Sequence, residues 1–509
     1  MIHKHVVRTV IAFACVVAAA ATVRSQPPAR PAKPPVAKHP HDLDSSYIRM
    51  PLAPGDKKYG SLEGDRIRSF DREIVAVSEK SKADGELLWG RIAGTKYDDM
   101  VEGIVEAKFK QFGLQDVHRQ WFDLPPQWFP TKWEFVVTSA GKKWRLETAR
   151  PATGSVSAPK GGLDLDVAWV GLGTAADFAG RDVKGKLVVI QSMPMPGVVS
   201  HSASYNGSAR RAAERGAAAV ALNVAIPGNF QVQIGFNSGL PTFTIGTEDT
   251  TALREALESN NVADNASRNV KVHIELETER RSGLRDASVW GVLPGTTDED
   301  IIVMAHHDSY FDGALDNASG MSVMLGLAEF YSKIPKEQRR RTLRFVTTSG
   351  HHAGSFGTQW MHENRSTFLA RTALVINCEH VSVTQTYFDR SGPFLHNSDN
   401  IDARRWWING SDKLAATALA AWRTFGVTVY DTMDSNASGD MGAIDRDVPT
   451  MQLIESAVYY HTDHDTPEIV PAAGLEAVAR GYAKIIDQVN TMDRAQLMPG
   501  PATTPSAQR

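Results

Sequence analysis

The sequence predicts an α/β fold, in which a mostly parallel (mixed) sheet carries helices on both faces in three layers and is interrupted by an inserted β-rich domain. Three observations support this. Strand-like and helix-like segments alternate from about residue 288 onwards, which is typical of parallel strands joined by helices. Residues 133–274 instead contain short β-like runs. The chain has 509 residues, which is too long for one ordinary domain.

Two helices are predicted before the insert. Residues 65–81 and 97–112 carry apolar side chains at helical spacing. Gly113 then favours the end of the second helix, because glycine readily adopts the conformation that follows a helix. Residues 46–130 are therefore predicted to form the first segment of the main domain.

The inserted domain is predicted to span residues 131–284. Its expected strands are residues 133–138, 167–170, 187–191, 217–223 and 241–245, and residues 209–216 form a small-residue helix. This region offers no pair of histidine and acidic residues at metal-ligand spacing, so we expect the chemistry to lie elsewhere.

The second segment of the main domain, residues 285–495, is predicted to alternate strands with helices. The expected strands are residues 288–295, 301–304, 343–348, 373–378, 427–430 and 450–454. The expected helices are residues 321–331, 357–370, 412–425 and 473–492.

The termini are predicted to lie outside the folded domains. Residues 1–25 combine basic residues, a short apolar run and small residues, which is typical of a secretory signal and too short for a stable membrane span. Residues 26–45 form a disordered linker and residues 496–509 a disordered tail. We therefore expect a secreted or periplasmic protein.

The charge and the cysteine content of the chain argue against some classes of partner and bond. Loss of residues 1–25 removes Lys4, Arg8 and Arg24 and no acidic residue, so the formal net charge changes from −3 to −6. An acidic balance argues against nucleic acid as a partner. Cys378 is then the only cysteine, which excludes an internal disulfide. The sequence does not determine the oligomeric state.

Histidine and acidic residues follow four predicted strands in succession. The first group contains His306, Asp308 and Asp316, between a strand and the next helix. Ligand sites in open α/β sheets lie at the carboxyl ends of strands. Imidazole nitrogens and carboxylate oxygens are metal ligands, and a carboxylate can bridge two cations. A single such histidine is usually structural, but four groups together favour a metal site. The other groups contain His351 and His352; Glu379 and His380; and Tyr460 and His461.

These motifs are similar to those of the di-zinc exopeptidase family, which includes bacterial zinc aminopeptidases and glutamate carboxypeptidases. The resemblance lies in Ala-His-x-Asp at 305–308, Gly-Ala-x-Asp-Asn-Ala-Ser-Gly at 313–320 and Tyr-His-Thr-x-x-Asp-Thr at 460–466. It covers roughly residues 46–491, and residues 182–186 and 212–218 of the insert resemble a protease-associated domain.

The resemblance implies two divalent ions, most simply zinc, and assigns their ligands. His306 would bind one ion, His461 the other, and Asp316 would bridge them. Asp308 would lie beside His306 without binding metal. Glu379 stands where the family has an acidic ligand.

The chain departs from the family at the second group. The family has Glu-Glu-x-Gly-x-x-Gly there, with the first Glu as general base and the second as a metal ligand. Alignment on flanking residues places His351 and His352 at those positions. His352 would bind metal through nitrogen. His351 would act as the base, because the reference pKa of histidine, near 6.5, suits proton transfer at neutral pH.

The sequence favours an exported metal-dependent exopeptidase, most simply an aminopeptidase that cleaves peptides with a metal-activated water. Tyr460 would donate a hydrogen bond to the oxyanion, or else only pack at the pocket wall. His307, His380 and His464 are expected to lie outside the ligand shell or on the surface. Two alternatives stay open: a degenerate binding protein on a peptidase scaffold, and single-metal amide chemistry such as glutaminyl cyclisation.

Overall fold

A computed structural model describes residues 47–192, 207–235, 238–261, 270–388, 395–455 and 457–499. All of them belong to one compact unit, His41–Arg509. The predicted signal segment, the linker and most of the predicted tail lie outside the described residues. Among the helices of the described residues, none is both long and apolar enough to cross a membrane.

The helices are α1 (Gly64–Ala83), α2 (Lys96–Gln111), α3 (Ser208–Glu214), α4 (Thr247–Asn261), α5 (Gly320–Ser332), α6 (Phe356–Glu363), α7 (Asp412–Thr424) and α8 (Ala472–Val489). The strands are β1 (Gly90–Arg91), β2 (Gln115–Asp123), β3 (Gln127–Ser139), β4 (Lys142–Arg145), β5 (Arg150–Pro151), β6 (Leu163–Trp169), β7 (Leu187–Ser192), β8 (Ala219–Val224), β9 (Thr242–Ile245), β10 (Lys271–Arg281), β11 (Arg285–Leu293), β12 (Asp300–His306), β13 (Ser309–Tyr310), β14 (Thr342–Thr348), β15 (Thr372–Cys378), β16 (Thr384–Phe388), β17 (Leu395–Ile401), β18 (Arg405–Asn409) and β19 (Thr450–Ile454).

The main sheet has seven strands in the order β18-β19-β15-β12-β14-β11-β2. Its four central strands are parallel, and antiparallel strands complete both edges. Strand β12 is buried along its whole length because both of its faces are covered. Val303 packs in the core formed with α1, α2, α5, α7 and α8, whereas Met304 packs on the opposite face with Met361 of α6. The predicted mixed α/β architecture with helices on both faces is confirmed.

The insert forms a second sheet in the order β4-β3-β10-β6-β7-β8-β9-β5. Its long antiparallel pair, β3 and β10, continues into the parallel strands β6 to β9. It has an apolar core of its own around Phe135, Val189 and Phe243. The sheet begins at Gln127 and its last strand ends at Arg281, close to the limits predicted for the inserted domain.

Three of the sequence-based predictions for individual elements are wrong. Residues 427–430 are not a strand; Val429 makes an isolated bridge to Arg404, and β18 takes the sheet edge beside β19. Helix α6 ends at Glu363 because Asn364 donates its side-chain amide to the carbonyl of Trp360 and ends the helix. The predicted tail begins too early, because Leu497 is fully buried in the core.

Candidate metal centre

The four parallel strands of the main sheet end level with one another. His306 at the end of β12 lies beside Thr348 at the end of β14, and Cys378 at the end of β15 lies beside Leu453 of β19. The loops that follow these strands therefore meet at one edge of the sheet, as open α/β folds require of a ligand site. These loops carry the residues Asp308, Asp316, His351, His352, Glu379, His380 and His461.

Asp316 lies at the middle of this edge and is almost fully buried. Its Oδ1 is 3.2 Å from Nε2 of His306 and 2.9 Å from Nε2 of His380. Its Oδ2 is 3.5 Å from Nε2 of His352 and 3.0 Å from Nε2 of His461. Each oxygen of one carboxylate thus faces a pair of imidazole nitrogens, which gives two candidate cation sites that share Asp316.

The positions of the polar atoms around Asp316 are compatible with two bound cations. The buried atoms His306 Nε2 and Asp316 Oδ2 have no hydrogen-bond partner, and unpaired buried polar atoms are costly. Nε2 of His352 and Nε2 of His461 face each other at 3.0 Å. Ligand atoms around a tetrahedral zinc ion with bonds of about 2.0–2.1 Å lie about 3.3 Å apart. The distances between the Asp316 oxygens and the imidazole nitrogens that face them are close to this value.

Two of the four histidines around Asp316 have an unusual backbone conformation. His380 and His461 have φ values of 49° and 56°, in the left-handed region. Residues other than glycine occupy this region at a cost of about 1 kcal/mol or more, and such strained residues are enriched at functional sites. Both imidazoles that face Asp316 at these positions therefore belong to residues with a strained backbone.

Asp465 fixes the backbone that carries Asp316. Its Oδ1 accepts a hydrogen bond of 2.6 Å from the amide of Leu315, and its Oδ2 accepts one of 3.0 Å from the amide of Asp316. Burial, together with the negative charge of Asp316, raises the pKa of Asp465 to about 7. The position of Asp316 thus depends on a second buried carboxyl group from the last sequence motif.

Asp308 orients the two adjacent histidines. Its carboxylate accepts hydrogen bonds from the amides of His351 at 3.1 Å and His352 at 2.8 Å, and lies 3.1 Å from Nδ1 of His352. Its backbone carbonyl lies 3.1 Å from Nδ1 of His306. Burial opposes ionisation of Asp308, but His352 and His306 outweigh it and lower the pKa of Asp308 well below its usual value. The Nε2 atoms of both imidazoles are thereby left to face Asp316.

His351 pairs with the buried carboxylate of Asp440. The distance from His351 Nδ1 to Asp440 Oδ1 is 2.9 Å, and the Thr348 hydroxyl donates to the other oxygen of Asp440. The His351 ring stacks on that of His306 with centroids 3.9 Å apart. Burial opposes protonation, but Asp440 outweighs it and raises the pKa of His351 to about 9. An imidazole oriented by a carboxylate therefore lies at the edge of the metal centre.

Glu379 lies on the same side as His351. The Asn377 amide donates to its Oε2 at 2.6 Å, and ligand atoms of His306, His351 and Glu379 lie within 4.8 Å of one another. Gly439 passes so close that a Cβ there would lie 2.0 Å from Glu379 Oε1. Glu379 can therefore reach the ion beside His306, and its predicted role as a ligand stays a prediction.

Among the three histidines expected outside the ligand shell or on the surface, His464 has a half-exposed side chain and contacts Asp463. His380 differs from the expectation, because it is 4% exposed and faces Asp316. His307 is fully buried in a separate group of acidic residues. Tyr460 stacks on His461 with centroids 3.7 Å apart.

Three residues that the structure brings to the site had no predicted role in it. His380 carried a signal, because it follows Glu379 directly at a strand end. Asp465 also carried one, as the Asp of the Tyr-His-Thr-x-x-Asp-Thr motif. Asp440 had no such signal, because it lies 89 residues from His351 in a short 3-10 helix, and only the fold brings the two together.

A cleft of about 320 Å³ opens beside the metal centre. Asp308, Tyr310 and His352 of the main domain line this cleft, together with Trp128 and Arg280 of the insert. The insert also contacts the last metal loop directly, since the amide of residue 233 donates to the carbonyl of residue 461 at 2.9 Å. Both sheets therefore contribute to the space where a substrate would bind.

The chain resembles known proteins along most of its length. Residues 288–486 match the sequence profile described as Peptidase family M28. Aminopeptidase YwaD of Bacillus subtilis (strain 168) is 25% identical over 437 residues, which cover 82% of this chain and 84% of that protein. The alkaline phosphatase isozyme conversion protein of Escherichia coli (strain K12) is 34% identical over 115 residues, which cover 19% of this chain and 32% of that protein.

Solved structures support the fold. A peptidase M28 precursor from Shewanella amazonensis superposes with a TM-score of 0.67 at 18% identity, covering 88% of this chain and 99% of its own. BSAP, a zinc aminopeptidase from Bacillus subtilis, superposes with a TM-score of 0.60 at 20% identity, covering 86% and 98%. The main sheet and the insert thus occur together in other proteins.

Proposed function

We propose that this chain, a metallopeptidase whose residues 288–486 match peptidase family M28, is an exported zinc aminopeptidase that removes N-terminal residues from peptides. The observation that carries the proposal is the arrangement around Asp316, in which each carboxylate oxygen faces two imidazole nitrogens. His306 and His380 would bind one zinc ion, His352 and His461 the other, and Asp316 both.

Zinc ions at such a centre polarise a peptide carbonyl and lower the pKa of a water molecule. The chain's own residues supply the remaining functions. His351 is the proposed proton acceptor, because Asp440 engages its Nδ1 and leaves Nε2 available. The raised pKa of His351 belongs to the protein without metal, and dications bound beside it would lower this pKa, so that the imidazole would be neutral before it accepts the proton. Asp440 is a positioning residue for His351. Tyr460 is the proposed hydrogen-bond donor to the developing oxyanion.

The donor set has a physical consequence. Asp316 is the one carboxylate among the five residues grouped around its two oxygens, whereas the family pattern places a Glu at the position of His352. An imidazole in place of a carboxylate neutralises less of the charge on two dications, so we propose that one of the two ions is bound more weakly.

The cleft favours substrates with apolar N-terminal side chains. Its lining includes Leu88, Ile92, Trp128 and Tyr310, which together offer apolar and aromatic surface beside His352. We propose that the insert acts as a protease-associated domain that shapes this cleft. Residues 1–25 support export to the periplasm or the medium, because they have the pattern of a secretory signal.

The test compares hydrolysis of a leucyl peptide with a free amino terminus and of the same peptide acetylated at that terminus, with zinc-loaded protein. We expect cleavage of the free peptide alone, its loss in Asp316→Asn, and its retention in the exposed control Asp116→Asn. Cleavage of both peptides would indicate an endopeptidase. If protein carrying two ions per chain cleaves neither peptide, the alternative of a degenerate binding protein is favoured. If a form with a single ion converts a peptide with an N-terminal glutamine, glutaminyl cyclisation is favoured.

A further inference from the structure

A second buried group of potential ligands lies apart from Asp316, and we call it the His307 cluster. It consists of His307, Asp98, Glu102 and Asp286, each at most 1% exposed. Nε2 of His307 lies 3.2 Å from Asp98 Oδ1, 3.7 Å from Glu102 Oε1 and 3.2 Å from Asp286 Oδ1. One ligand atom from each of the four residues lies within 4.8 Å of the others.

The charges in the His307 cluster do not balance. Three carboxylates surround one imidazole nitrogen, which can present a single N–H. Arg119 donates to the far oxygen of Glu102 at 2.8 Å, but its charge is shared with Asp99 and Glu106. Because buried charges are stable only when they are compensated, the cluster requires further positive charge. A dication beside a neutral imidazole would offset two of the three carboxylate charges, and Arg119 would offset part of the third.

Two oxygens in the cluster lack hydrogen bonds. Asp98 Oδ1 and Asp286 Oδ2 are buried and accept no hydrogen bond, and the former points at His307 Nε2 from 3.2 Å. Burial raises the pKa of Asp286 to about 6, and the neighbouring charge of Asp98 contributes. This agrees with a shortage of positive charge around these oxygens.

The spacing and the donor types identify the class of ion. Separations of 3.2–3.7 Å are close to the distance of about 3.3 Å between ligand atoms on a zinc-sized ion with bonds of about 2.0–2.1 Å. One imidazole with carboxylates suits zinc, manganese or iron, whereas calcium and magnesium prefer oxygen ligands alone. We propose that the His307 cluster binds one divalent transition-metal ion, separate from the ions at Asp316.

Such an ion would connect three separate parts of the chain. Asp98 and Glu102 lie one turn apart on α2, Asp286 lies in β11, and His307 directly follows β12. His307 is also the neighbour of His306, so the ion would stabilise the strand end that presents a ligand to the catalytic centre. Its role would be structural and independent of the peptidase reaction.

The test removes the catalytic ions first. In the double variant His306→Ala/Asp316→Asn, which removes a ligand from every other group of potential metal ligands among the described residues, elemental mass spectrometry of protein purified without chelators should still find about one transition-metal ion per chain. Adding Asp98→Asn should reduce this to almost none. Adding Asp300→Asn should not, because Asp300 is a buried carboxylate at the opposite end of β12 that pairs with Arg344.

Two results would overturn the proposal: a double variant without metal, or residual metal that survives Asp98→Asn. If these variants do not fold, anomalous diffraction from wild-type crystals decides the question. A peak within bonding distance of His307 Nε2 is expected, and a map without one would show that the carboxyl groups share protons instead. Neither result depends on whether the chain cleaves peptides.

Discussion

Replacement of Asp440 by asparagine tests the proposed roles of Asp440 and His351 together. Asparagine has the size of aspartate and can still accept a hydrogen bond, so the fold should be preserved. The change removes the charge that faces Nδ1 of His351 from 2.9 Å inside a fully buried environment. It also replaces the acceptor of the Thr348 hydroxyl by an amide. His351 would then lose the group that fixes its ring and favours its protonated form.

The size of the effect follows from the type of contact. A buried hydrogen bond to a charged group contributes about 1.5–3 kcal/mol. If this free energy is realised when His351 takes a proton, kcat should fall about ten- to a hundredfold, since about 1.4 kcal/mol corresponds to one factor of ten. KM and metal content should change little, because the side chain of Asp440 faces His351 and Thr348.

The assay measures kcat and KM on a chromogenic aminoacyl amide, with metal content determined on the same samples. Asp447→Asn is the matched control, because Asp447 pairs at 2.8 Å with Nδ1 of the exposed His362. It should leave kcat within twofold of the wild type. Unchanged kcat in Asp440→Asn at full metal content would refute the positioning role. Loss of metal rather than kcat would show that the pair serves ion binding.

Three further perturbations test the surroundings of Asp316. Asp465→Asn can accept only one of the two backbone N–H groups that reach Asp465, so the metal-free protein should lose about 1–3 kcal/mol of stability by urea unfolding; equal midpoints would contradict this. Gly439→Ala would place a methyl group 2.0 Å from Glu379 Oε1 at φ 59°, so both the thermal midpoint and kcat should fall, and an unchanged variant would show that Glu379 moves freely. Burial raises the pKa of Asp312 to about 6, so the stability that comes from its protonated form is present below about pH 4 and is lost as the pH rises through 6. Asp312→Asn should therefore stabilise the protein by about 2 kcal/mol at pH 8 and hardly at pH 4. An equal stabilisation at both pH values would contradict the raised pKa of Asp312.

The architecture was predictable because hydrophobic periodicity is a local property. The continuous apolar run in β12 and the helical spacing in α1 and α8 are visible in the sequence and match the structure. The strands that the sequence did not reveal are half-exposed or lie at edges. Strand β2, for example, is almost entirely intermediate or exposed, so it lacks a strong apolar pattern and depends on pairing with β11.

The metal site was predictable where its residues follow strands, and less so where they meet only in three dimensions. His306, Asp316, His352 and His461 stand in motifs and converge in the structure. His380 was expected outside the ligand shell, and the family resemblance assigned the ligand role at this strand end to its neighbour Glu379. Which of two adjacent side chains turns toward Asp316 depends on the backbone, and the φ of 49° at His380 has no local sequence signal.

We propose that Asp316 holds two ions, each of which a pair of histidines would also bind. Anomalous diffraction at the zinc edge, from crystals of zinc-loaded protein, tests it most directly. Two peaks are expected on either side of the Asp316 carboxylate, one near His306 and His380 and the other near His352 and His461. A single peak, or two peaks of which neither lies within bonding distance of His380, would contradict it.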